Sequence, residues 1–201
     1  GEDPWSTYCY AGTAAQLAYC LPVAHAHDPV DWAGEAAAAF AWGAKHTRPG
    51  DEKKDPPLRH ARAYAAAALF RLTGDSAYER QFATDTADIG AATQLWDDRQ
   101  YGPMVYALGG GKAEPDRALQ ERMRDAILAT ADAVVANAEK RALRWGGNWF
   151  MPMLVGQQTT PLVFPAAVGC TLVRQTDPAK AQRYRAALYT TCDYVLGGTR
   201  V

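Results

Sequence analysis

The stretch Leu69-Phe-Arg-Leu-Thr-Gly-Asp75 decides the fold class. It closes one run with apolar residues at i, i+3, i+4 and opens the next, and Gly74 stands where an outgoing helix takes a left-handed cap. Later in the chain, Leu172-Val-Arg-Gln-Thr-Asp177 makes the same kind of joint. Two such joints imply helical hairpins in series. Paired helices must bury their apolar faces on neighbours, so they form a bundle, a solenoid or a closed ring. The pattern alone leaves all three open.

Outward from these joints, Ala-rich helical periodicity dominates. Residues 6–21 read as a first helix, with Ser6 or Thr7 as cap and Pro22 as stop. Asp28-Pro29 reads as a cap followed by a first helical proline, starting a helix that ends near His46. Residues 47–57 read as an exposed charged loop and 58–73 as helix. Ser76 and Glu79 have the spacing of a capping box for a helix to about residue 93. Further helices are predicted over 97–108, 116–140, 160 to about 175, and 178–196. Glycines 109–111 end one of them, and 144–158 reads as a structured loop rich in Gly and Trp. The sum is about eight helices and no strand, an all-α chain.

The chain has 201 residues, 48% hydrophobic and 21% charged, enough for one domain over 1–201 with a sizeable core. Lys and Arg number 21 against 22 Asp and Glu, so neither a basic nucleic-acid face nor an acidic tail is indicated. No apolar run reaches the roughly 20 residues that span a bilayer. Residues 1–5 do not form a signal peptide, which leaves a removed leader or an upstream segment open. Cys9, Cys20, Cys170 and Cys192 match no zinc or CxxC spacing. They read as buried free thiols on helices, with a disulfide open if the protein is exported.

Three segments go beyond generic helix: Leu95-Trp-Asp-Asp-Arg-Gln-Tyr-Gly102, Arg144-Trp-Gly-Gly-Asn148 and Cys192-Asp-Tyr-Val-Leu-Gly197. They resemble, in order and spacing, the Trp-Asp-Asp-Lys-x-Tyr-Gly, Trp-Gly-Ser and Asp-Tyr-Leu-Leu-Gly segments of glycoside hydrolase family 9, the cellulase-type family. Residues 6–21 and the hairpin over 65–78 are similar to further segments of it. The resemblance covers nearly the whole chain. It implies an (α/α)6 helical barrel, incomplete in this chain, which would supply its middle and later helices. It also implies a secreted or periplasmic protein that hydrolyses β-1,4-glucan polysaccharide or oligosaccharide with inversion.

The departures from that family are chemical. Its Asp-Ala-Gly-Asp motif, before the matched region, carries the base and a Glu after it carries the acid; neither is in this sequence, nor is the His-x-Arg motif that the family places between the last matched helix and that Glu. Inversion needs two carboxylates roughly 6.5–9.5 Å apart on opposite faces of the sugar. The chain alone is therefore expected to lack catalytic residues, with the remainder of the catalytic domain as its partner. Pro56-Pro57-Leu58-Arg59-His60 also replaces the aromatic and acidic residues that the family often places there.

Asp97 is the leading functional residue. The resemblance makes it a hydrogen-bond partner of a sugar hydroxyl, while its own chemistry equally suits a helix N-cap. Adjacent Asp97 and Asp98 point about 100° apart on a helix and do not converge on one bond. Trp145 falls where the family places an aromatic platform for a glucose ring, against the alternative of a core Trp pinning its loop. Trp149 and Phe150 are weaker substrate-binding candidates where the family often has Arg-Tyr. Trp32, Trp42 and Trp96 read as core. His25, His27, His46 and His60 read as solvated loop or loop-flanking residues, and no spacing points to a metal or cofactor. Glycines 109–111 precede Lys112 without P-loop spacing.

Two other readings compete: a non-catalytic helical module binding carbohydrate or protein, and another (α/α)6 carbohydrate-active enzyme. No nucleic-acid or membrane partner is indicated. Half a ring would also expose apolar helix faces at its edges.

Overall fold

The computed structural model describes residues 3–141, 145–146 and 160–195. Every regular element among them is helical: α1 (Pro4–Val23), α2 (Trp32–His46), α3 (Asp51–Lys54), α4 (Pro56–Thr73), α5 (Ser76–Asp85), a 3-10 turn (Asp97–Gln100), α6 (Tyr101–Leu108), α7 (Arg117–Lys140), α8 (Thr160–Val173) and α9 (Pro178–Val195). The chain is all-α, as its periodicity predicts. It packs as two compact units: residues 1–89 with 101–121, and residues 90–100 with 122–201.

Both hairpin joints form. Gly74 takes φ 77 and donates its N–H to Phe70 O, and Asp75 then caps α5 by accepting from Ala77 N. Asp177 caps α9 by accepting from Lys180 N at 2.9 Å. In each case a carboxylate takes up an N–H that the first helical turn leaves unpaired.

Several helix ends differ from the sequence reading. Asp3, not Ser6 or Thr7, caps α1, because its carboxylate accepts from Ser6 N at 2.9 Å and Pro4 fits the first helical position. Pro22 does not stop α1. It lies in the last turn, and the helix reaches Val23. Asp28 turns back on Val30 N, so α2 begins only at Trp32, where Asp31 accepts from Gly34 N. The charged loop contains the short helix α3, and α4 begins two residues early at Pro56. No capping box forms at Ser76, because Glu79 is engaged elsewhere: its Oε1 accepts from Tyr106 Oη at 2.5 Å and from Asp116 N at 2.8 Å. Helix α5 ends at Asp85 rather than near residue 93.

In the first unit α4 is central, packed by α1, α5 and α6, with α2 against α1. Its buried positions are dominated by alanine: Ala61, Ala63 and residues 65–68. Methyl-sized side chains let helices approach closely. A Cβ on Gly102 of α6 would lie 3.1 Å from the backbone of Ala63 on α4. Tyr8, Leu58 and Ala65 fill one side, and Phe82 stacks on Tyr106 at 4.5 Å on another. Gly111 lies against the end of α4, where its Cβ would stand 2.5 Å from Arg71 O, and Lys112 N donates to that same oxygen. In the second unit α7, α8 and α9 share a core that includes Val134, Val163, Ala166, Ala181 and Tyr184.

None of the four cysteines is in a disulfide. Cys9 and Cys170 are half-buried, but Cys20 and Cys192 are exposed, which corrects the reading of all four as buried. Trp32, Trp42 and Trp96 are half-buried rather than fully in a core.

Candidate functional site

All described candidates for ligand contact lie in the second unit. The segment ahead of the 3-10 turn is fixed by Leu95. That side chain is fully buried, and its N–H donates to Thr130 Oγ1 of α7 at 2.8 Å. Thr130 passes the bond on to Ala126 O. At the far end of the turn Gln100 is fully buried, and the turn packs against α8. Between these two anchors Asp97 is exposed. Its φ is 49, left-handed backbone that Asp tolerates better than most residues. Among the described residues its carboxylate makes no hydrogen bond or ion pair, so it is not spent as a helix cap.

Trp145 is placed differently from an exposed platform. It is only 6% exposed, and the Arg141 guanidinium stands 4.7 Å over its ring. Arg141 Nη1 also donates to Trp145 O at 3.0 Å. The next residue, Gly146, donates its N–H to Thr191 Oγ1 of α9, and a Cβ there would stand 2.8 Å from Val134 Cγ1 of α7. The Trp-Gly pair is thus a wedge in the α7–α9 packing. Gly146, one glycine of that segment, permits close approach rather than exposure. Trp149 and Phe150 lie outside the described residues.

Asp97 and Trp145 were both legible as candidates. A third feature was not. Helices α7 and α9 border a groove of about 390 Å³ lined by Asp132, Val135, Asp177, Lys180, Arg183 and Tyr184. Asp132 is its hub: Oδ1 accepts from the Tyr184 hydroxyl at 2.8 Å and Oδ2 from Lys180 Nζ at 2.9 Å. Arg183 Nη2 donates to both oxygens of Glu139 at 2.9 and 3.1 Å. Tyr184 itself is buried, 1% exposed. Burial first, and then the bond to Asp132, push its phenol well above the ordinary value, so it stays a proton donor. These partners are 44 to 52 residues apart in sequence. The available signal was charge pattern: acids at 132 and 139 on one helix, bases at 180 and 183 on another.

Among the described residues no three His, Cys, Asp or Glu side chains gather as a metal-ligand set. No family model matches the chain, and no curated protein matches it.

Proposed function

We propose that this chain forms carbohydrate-binding wall of a glycoside hydrolase, an inverting β-1,4-glucanase of family 9 type with an (α/α)6 barrel. Asp97 would hydrogen-bond a sugar hydroxyl, and both catalytic carboxylates would come from other segments. Two things support the reading: the ordered set of family-like segments, and a chain built of helical hairpins. The observation that carries it is Asp97, an exposed carboxylate in left-handed backbone between two buried anchors that makes no hydrogen bond or ion pair among the described residues. Backbone held in a sparsely populated conformation is commonest where a ligand is met. The buried Trp145 narrows the proposal, since its ring has no open face for a glucose unit.

The test is cellohexaose binding to the purified chain, read by calorimetry. Removing a charged hydrogen-bond partner costs about 1.5–3 kcal/mol, so Asp97→Ala should weaken binding by roughly tenfold or more. Asp98→Ala should leave it within about twofold. Unchanged affinity in Asp97→Ala, or no binding by the parent chain, would sink the reading.

A second reading is a non-catalytic carbohydrate-binding module, which the exposed Asp97 suits equally, since it binds without cleaving. A reducing-sugar assay on carboxymethyl cellulose separates the two when run on a protein extended at both ends. New reducing ends favour the hydrolase; binding without cleavage favours the module.

A further inference from the structure

We infer that the groove between α7 and α9 is a second carbohydrate subsite, one that takes a neutral polyhydroxylated ring through Asp132, Lys180 and Arg183. The choice of a glucan as ligand rests on the reading above. The neutral, hydroxyl-rich class rests on the groove itself.

Its volume of about 390 Å³ falls in the range of small-molecule sites, roughly 300–1,000 Å³. Its charged lining is two carboxylates, Asp132 and Asp177, and two cations, Lys180 and Arg183. These cancel. An anion placed among them meets both carboxylates, and a cation meets both basic groups. A neutral ligand avoids either repulsion.

Hydrogen-bonding capacity then selects the chemistry. Lys180 Nζ uses one of its three donors on Asp132. Arg183 uses Nη2 on Glu139, which leaves Nε and Nη1. Asp177 spends one oxygen on Lys180 N, which leaves the other to accept. Spare donors thus lie beside spare acceptors. A hydroxyl is both, so a vicinal hydroxyl pair can bridge Asp132 and Lys180 without separating them. The buried Tyr184 hydroxyl holds the Asp132 carboxylate in one orientation, so this acceptor is fixed before any ligand arrives.

The experiment follows backbone amide shifts of the whole chain by NMR with cellotetraose. Tetragalacturonate serves as the anionic comparison and the chitosan tetramer as the cationic one. The expected result is movement of the Lys180, Arg183 and Tyr184 amides with cellotetraose, at least tenfold stronger than with either charged oligomer. Lys180→Met and Arg183→Gln replace partly exposed side chains. Each should weaken the groove response by about tenfold while the Asp97 response persists. Groove amides that stay still while those around Asp97 move would overturn the groove and leave the Asp97 reading standing. Groove amides that move while those around Asp97 stay still would support the groove and overturn the Asp97 reading. Tighter groove binding of a charged oligomer, or no groove response to any of the three, would also overturn the groove.

Discussion

The Arg62 guanidinium grips the Asp85 carboxylate at two points, Nε to Oδ2 at 2.9 Å and Nη2 to Oδ1 at 2.7 Å, and so ties α4 to the last residue of α5. Gln81 Nε2 donates to the same carboxylate at 3.1 Å. The Asp85 side chain is 1% exposed and that of Arg62 15%. A buried pair of this kind is a poor source of net stability but is costly to break on one side, because the remaining charge stays buried. Arg62→Leu should therefore destabilise the protein by about 3–5 kcal/mol in urea unfolding, and Arg62→Leu/Asp85→Leu should recover most of the loss. The exposed pair of Arg117 and Glu121 is the control: Arg117→Ala should not move the midpoint.

Gly111→Ala should destabilise by about 1–3 kcal/mol, seen as a lower melting temperature. The added methyl would meet Arg71 O at 2.5 Å and Arg71 Cα at 2.8 Å. These are backbone atoms of a helix and cannot swing aside. Gly50→Ala has open space around it and tests a different effect, the strain of φ 92 alone.

Alkaline pH should weaken the fold through its tyrosines. Burial, then the bond to Glu79, lift the Tyr106 phenol well above its ordinary value of 10.0, and Tyr184 is lifted the same way by burial and Asp132. In the folded state both hold their protons more tightly than in the unfolded chain. Their contribution is thus fully present below about pH 10 and is lost as pH rises beyond it. Absorbance at 295 nm should show these two phenols ionising only as the fold opens. Tyr106→Phe should flatten the fall of stability above pH 10.

Trp145→Ala should act on stability before it acts on any ligand. A buried Trp removed to Ala costs about 3–5 kcal/mol, and the change also strips Arg141 of its ring contact. Chemical denaturation checks this. A variant that kept its stability but lost sugar binding would restore the exposed-platform role.

The helices were legible because their periodicity is long and strong. Their ends were less so, and the Asp-Pro pairs show why. Asp3-Pro4, Asp55-Pro56 and Asp177-Pro178 all open helices, whereas Asp28-Pro29 does not. Asp28 spends its carboxylate on Val30 N, and Asp31 takes the cap three residues later. The dipeptide states what the backbone can do, and competition with the next carboxylate decides the outcome. Glu79 shows the same limit at longer range. Its spacing from Ser76 suits a local cap, but Tyr106 and the start of α7 claim it. The candidate site was half legible. Asp97 was singled out through a family-like segment and is exposed, whereas Trp145, singled out as an exposed platform, is buried. The groove depends on charges from two distant helices and has no local signature.

The alanines of α4 carry a thermodynamic consequence. An alanine has no rotamers to freeze, so packing residues 65–68 costs backbone entropy and almost nothing from the side chains. Truncation there can remove no more than a methyl group, so large voids cannot be made. Enlargement is the damaging direction, because each added methylene must displace a neighbouring helix. At residues 65–68 the first unit is vulnerable to crowding far more than to loss.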